Sequence, residues 1–337
     1  LENRFDKKTR TLGAILFLVQ RGLAAGITIF APSIILSTVL GIDIKILNFL
    51  VGFLVIIYTV TGGTKAVNIT QKQQMFVIFF GLFFVFFILL EKYPENLTIS
   101  KFLDYSRSSE KFKIIDFSID PNNRYTFWSG ITGGLFLALS YFGTDQSQVQ
   151  RYISGKSVKE IRLGLIFNGI FKIPMQFFIL LLGVMVFVFF EFNKSPVNYN
   201  PQVISYMEKN HSSEYDELIK EYNELTKNKN EIQERFLSNP INFPIELNSI
   251  QKNEKDLRNT IKQIVSENNN TIEENDKDYV FLHFILNYLP RGLIGLLIAV
   301  IICAAMSSTA SELNALAATT TIDLYRRNHI KKRSEKH

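Results

Sequence analysis

The apolar residues of this chain are gathered into long blocks, and about 20 consecutive apolar residues are needed for a helix to cross roughly 30 Å of hydrocarbon. About six blocks reach that length, at 11–40, 44–61, 73–91, 128–147, 163–191 and 289–322. They predict an all-α membrane protein with about six transmembrane helices. The breaks between blocks carry their own signals. Gly62 and Gly63 are placed to stop the second span and lead into a polar connection. Residues 92–127 mix both charges with Asn, Pro and Ser, as a loop of modest structure does.

Residues 193–278 differ in kind, being rich in Lys, Glu and Asn. Leu218, Tyr222, Leu225, Ile232 and Phe236 recur at helical spacing if Lys229 fills the one polar gap, and Ile250, Leu257, Ile261 and Ile264 do nearly the same. The pattern predicts a helical hairpin turning at SNPINFP, either a docking module for a partner or a solvated insertion between spans. The expected organisation is therefore 1–191 with five spans, 192–279 as an extracytoplasmic charged hairpin insertion, and 280–337 as the sixth span with a basic cytoplasmic tail.

Charge orients the spans, because Lys and Arg in short loops stay on the cytoplasmic side. Arg4, Lys7, Lys8 and Arg10, then Lys65 and Lys72, then Arg151, Lys156, Lys159 and Arg162, and finally Arg326, Arg327, Lys331, Lys332 and Arg333 all fall on one face of a six-span arrangement. Both ends are then cytoplasmic. The net charge of +6 is accounted for by topology, and nucleic acid is not an expected partner; the lipid bilayer is. Thirty Phe residues suit lipid-facing surfaces. The single cysteine, Cys303, excludes an intrachain disulfide and reads as a small apolar residue in a span. The chain opens on Leu1 and stops in a basic segment just after a span, which reads as a piece of something longer.

Polar residues inside the apolar blocks are the candidates for function. In the last block Ala304, Ser307, Ser308 and Ser311 share one helix face. Such a face can give hard oxygen ligands to a small cation, or let another helix pack closely. Arg21 lies about 15 Å above the cytoplasmic end of its span and needs a partner. Glu312 lies at the same depth, one turn beyond Ser308, and a structural Arg21–Glu312 pair is preferred to a role in ion exit. Lys172 stands in apolar surroundings two residues before Pro174, which kinks a helix or frees a carbonyl, so the lysine is paired or functional.

Several stretches together resemble the sodium/solute symporter family. LENRF followed by basic residues is similar to that family's loop before its third core helix, and YTVTGGTKAV to its YTxxGGxKAV turn. SYFGTDQSQVQRY resembles its sixth-helix motif and GLIGLLIAVIICAAMSSTASELNALAATTTIDLY its eighth. The resemblance covers the chain except the hairpin and outer loops. It implies a LeuT-type inverted repeat with substrate and ions bound midway through the membrane. It also implies that this chain supplies core helices three to eight, so that missing helices of the full-length protein complete the sodium site.

Carried over by position, the resemblance implies sodium ligands at Ala304, Ser307 and Ser308, an inner-gate tyrosine at Tyr141 and a substrate-binding lysine at Lys172. Two departures stand out. Ala138 replaces an asparagine that contacts substrate in the sugar carriers, and Gln71 replaces an aspartate that some members carry on the sodium exit route. The implied activity is sodium-coupled symport of a small organic solute across the plasma (inner) membrane, with sodium as coupling ion and no other cofactor. One sodium ion falling through about 100 mV releases roughly 2.3 kcal/mol, and a tenfold gradient adds about 1.4, enough for accumulation on the order of several hundredfold. The rival readings are a transporter-like sensor module and an incomplete, non-transporting fragment. An enzyme is disfavoured, because the four His are scattered and Ser307 and Ser308 have no nearby base.

Overall fold

The computed structural model describes residues 1–325 except 110, 113–114, 121–122, 124, 154, 156, 239–242, 270–271 and 273–274. Among the described residues every regular element is helical. The chain divides into two compact units, the first made of Leu1–Gly81, Trp128–Lys172 and Gly295–His337, the second of Leu82–Phe127 and Ile173–Ile294.

Four long helices belong wholly or partly to the first unit: α1 (Lys7–Leu40), α2 (Ile44–Lys92), the start of α6 (Val158–Phe192) and α11 (Arg291–Thr319). Asp6 starts α1 by accepting the Thr9 N–H at 2.7 Å. Gly41 ends it with φ 67°, a left-handed conformation that glycine adopts without a Cβ penalty, its N–H bonded to Ser37 O. The core of the unit is Leu36, Leu47, Val51, Val55, Ala305 and Ala310. Small residues of α11 thus meet branched residues of α1 and α2. At Gly81 an added Cβ would stand 2.7 Å from Leu297 Cδ2, so the end of that side chain would have to turn aside.

Two sequence expectations are corrected here. The helix does not stop at Gly62 and Gly63; α2 continues through both to Lys92. Each helical glycine costs only about 1 kcal/mol relative to Ala, and without a proline nothing in this stretch forbids helical backbone. The stretch 128–147 is not one unbroken span. It is α4 (Phe127–Leu139), a π-helical turn over Ser140–Thr144, and α5 (Gln146–Ile153). Five helical segments are long and apolar enough to cross a membrane among the described residues: Lys7–Ser37, Ile44–Thr61, Gln71–Lys92, Val158–Phe192 and Arg291–Tyr325. Among its described residues, the polar loop expected at 92–127 holds one helix, α3 (Ile99–Ser108), capped by Thr98.

The second unit contains the C-terminal part of α6 (Val158–Phe192), which runs through Pro174, together with α7 (Pro201–Asn210), α8 (Ser212–Ser238), α9 (Phe243–Asn268) and α10 (Lys277–Tyr288). Val203 and Met207 of α7 pack with Tyr215 and Tyr222 of α8 and Leu257, Ile261 and Val265 of α9. Lys229, in the polar gap of the α8 repeat, is 5% exposed and lies 3.2 Å from Glu191 and 2.9 Å from Glu254. Burial opposes its charge, but Glu191 and Glu254 outweigh burial and raise its pKa. The expected turn at SNPINFP falls largely on 239–242, and the basic tail on 326–337, both outside the described residues.

Candidate functional site

The polar cluster of the first unit is built on the break in the α4–α5 segment. In the π turn the Asp145 N–H reaches back to Ser140 O at 2.9 Å, one residue further than in an α-helix, and Thr144 Oγ1 donates to the same carbonyl. Asp145 itself leaves helical geometry with ψ 101°. Its Oδ1 then caps α5, accepting the Ser147 N–H at 3.0 Å and the Ser147 hydroxyl at 2.7 Å.

The other carboxylate oxygen of Asp145 accepts from Arg21 Nη2, and Arg21 Nη1 lies 3.3 Å from Glu312 Oε1. One guanidinium therefore faces two carboxylates. The side chains are 20% exposed for Arg21, 6% for Asp145 and 9% for Glu312, so removing one partner would leave a mostly buried charge uncompensated. Glu312 Oε2 also accepts from the Thr28 hydroxyl at 2.9 Å, and Thr28 Oγ1 is 3.3 Å from Thr309 Oγ1. A second guanidinium, Arg10, bonds to Asp323 through Nε at 2.9 Å and to Glu2 at 2.8 Å.

On α11 the four positions of the small-residue face are treated differently. Ser307 is buried, its hydroxyl donating to Gln74 Oε1 at 3.1 Å with Ala304 O at 3.4 Å. Ser311 is buried and donates to Ser307 O at 3.2 Å. Ser308 is exposed. Three oxygens, from Ala304, Ser307 and Gln74, thus stand together between α2 and α11. Hard oxygen donors of this kind suit an alkali cation.

Tyr141 lies in the π turn and Lys172 on α6; the lysine Nζ is 6.0 Å from the centroid of the Tyr141 ring, within reach of its π face. Tyr141 is 38% exposed and Lys172 is exposed as well, so both can meet a ligand.

Asp145, Gln74 and Thr28 were not singled out from sequence. A signal for Asp145 was present, since Asp two residues before Ser in SYFGTDQS is an N-cap pattern inside an expected span. Gln74 lies in a polar QKQQ run that reads equally well as a solvated helix end.

Against known proteins, the model of the Sodium:solute symporter family matches residues 1–224 and 261–337. The chain belongs to that family. The match includes every residue of the cluster above and passes over 225–260, which takes in the second half of α8 and most of α9. Within the family, the chain is 34% identical to the Homo sapiens sodium/iodide cotransporter over 194 residues, 56% of this chain and 29% of that protein. It is 36% identical to the Bos taurus sodium-coupled monocarboxylate transporter 2 over 168 residues, 50% of this chain and 27% of that protein. The matched stretches thus span less than a third of these curated relatives. A solved structure of a Na+-coupled sialic acid symporter, in a substrate-bound outward-open state, superposes with a TM-score of 0.66 at 21% identity, covering 98% of this chain and 54% of that one. That likeness establishes a shared all-helical transporter fold, and with the apolar helices makes this a multi-pass membrane protein.

Proposed function

We propose that the full protein is a secondary transporter that couples sodium entry to the uptake of a small organic solute. The observation that carries this reading is the family match, which runs through α1, α2, α4–α6 and α11, the helices that hold the polar cluster. The printed names of the relatives, sodium-coupled carriers of iodide and of monocarboxylates, support sodium as the coupling ion. In this reading the scaffold is a LeuT-type inverted repeat in the plasma (inner) membrane, both ends of this chain are cytoplasmic, and the hairpin of α8 and α9 faces outward.

Ala304 O, Ser307 Oγ and Ser308 Oγ ligate sodium, and Ser307 exchanges its bond to Gln74 for the ion. Tyr141 and Lys172 contact the solute, the lysine through its ammonium and the tyrosine through its ring. Arg21 and Glu312 are structural and, with Asp145, fix the broken segment that carries Tyr141 against α1 and α11.

The test is uptake by the full-length protein in liposomes, with a panel of sugars, carboxylates and amino acids and an imposed inward sodium gradient. Accumulation that collapses when sodium is replaced by choline is the expected result. Solute binding without accumulation under any gradient would overturn transport in favour of a sensor role.

A further inference from the structure

Between the end of α6, α9 and α10 the second unit has an open cavity of about 440 Å³, the size that takes a small organic molecule. Val186, Phe187 and Phe190 of α6 give it an apolar, partly aromatic wall. The buried charges around it are matched to one another. Glu191 and Glu254 are held by Lys229 at 3.2 and 2.9 Å, Glu254 also by Arg258 at 3.1 Å, and Asp276 by Lys262 at 2.7 Å.

Two further cations line the same cavity, Lys111 and Lys255, both exposed. Lys111 Nζ rests 4.1 Å from the centroid of the Phe187 ring. Among the described residues neither lysine has a carboxylate within 4.0 Å. The cavity therefore offers an apolar wall and uncompensated positive charge at its mouth. Its carboxylates are already taken, so among the described residues an ammonium or a zwitterion finds no free anion there.

We propose that this cavity binds a small organic anion, its carboxylate between Lys111 and Lys255 and its apolar body on Phe187, Phe190 and Val186. The site does not depend on the transport reading, since neither Tyr141 nor Lys172 belongs to it.

The experiment is equilibrium calorimetry on the full-length protein in detergent and sodium-free buffer, with phenylacetate as probe and 2-phenylethanol and phenethylamine as its neutral and cationic counterparts. Without sodium, and with binding as the readout, failure of sodium-coupled uptake would leave the result unaffected. Phenylacetate is expected to bind saturably and at least tenfold more tightly than either counterpart. The double variant Lys111→Gln/Lys255→Gln should weaken it about tenfold, the worth of two exposed charge contacts. At Gly183, which lines the cavity, an added Cβ meets no atom within 4 Å, so Gly183→Leu should fold and block the probe. Equal binding of all three ligands, no saturable binding, or unchanged affinity in the double lysine variant would overturn the proposal. So would binding that survives in that variant and disappears in Lys172→Ala.

Discussion

Replacing Arg21 by methionine should destabilise the protein more than neutralising either of its partners. The guanidinium serves Asp145 and Glu312 together, and all three side chains are mostly buried. Arg21→Met leaves two carboxylates without a counter-charge, a loss on the order of 3–5 kcal/mol. Glu312→Gln keeps an oxygen for the Thr28 hydroxyl, now 2.9 Å away, and leaves Arg21 with Asp145, so about 1–2 kcal/mol is expected. Asp145→Asn likewise keeps an acceptor for the Ser147 N–H. The two-acid arrangement also makes a prediction for coupling. The double variant Arg21→Met/Asp145→Asn should be less damaged than the sum of its parts by about 1–3 kcal/mol, and adding Glu312→Gln should recover more. The assay is unfolding of the full-length protein in mixed micelles with increasing SDS fraction, followed by circular dichroism. Strictly additive losses, or an Arg21→Met variant no weaker than Glu312→Gln, would refute the reasoning.

The remaining predictions concern the hairpin and the two ligand sites. Burial raises the Glu254 pKa, but Lys229 and Arg258 outweigh it and hold the carboxyl below its usual range. Its contribution is then full above the unfolded value of about 4.3 and lost as pH falls through the lower folded value. Lys229, shifted upward, contributes fully below about 10.4 and loses its share only as pH rises through its higher folded value. Hydrogen exchange should show α8 and α9 protected between these limits and opening on acidification, with Lys229→Met opening at neutral pH; a pH-independent protection pattern would contradict this. Lys172→Ala should weaken solute affinity more than sodium affinity in the full-length protein, and equal weakening would return the lysine to packing. Ser308→Ala should express normally and raise the sodium concentration for half-maximal uptake several-fold, about 1 kcal/mol or more of lost ligation, whereas Ser311→Ala changes it little. Unchanged sodium dependence in both Ser307→Ala and Ser308→Ala would leave this face to packing.

What the sequence made legible follows the physics of each signal. Hydrophobic blocks long enough for a bilayer are explicit, and so is a charged residue at depth, which is why Arg21 and Glu312 could be paired by depth alone and lie 3.3 Å apart. Asp145 escaped because its role depends on a local π turn, set by tertiary contacts that composition does not encode. Gly62 and Gly63 illustrate the opposite error, since glycine permits a stop without imposing one and the helix persists. Lys229 was visible as a polar gap, but its partners Glu191 and Glu254 come from distant segments that no periodicity links to it.

The π turn over Ser140–Thr144 has a consequence for how members of this family can diverge. A π turn holds one residue more than the α-helix around it, and one residue corresponds to about 100° of rotation. Deleting a single codon here would relax the turn to α geometry and swing a different side chain toward Lys172, in place of Tyr141, which now lies within 6.0 Å of the lysine. The residue presented to Lys172 can therefore change through a length polymorphism, with no substitution at either position of the pair.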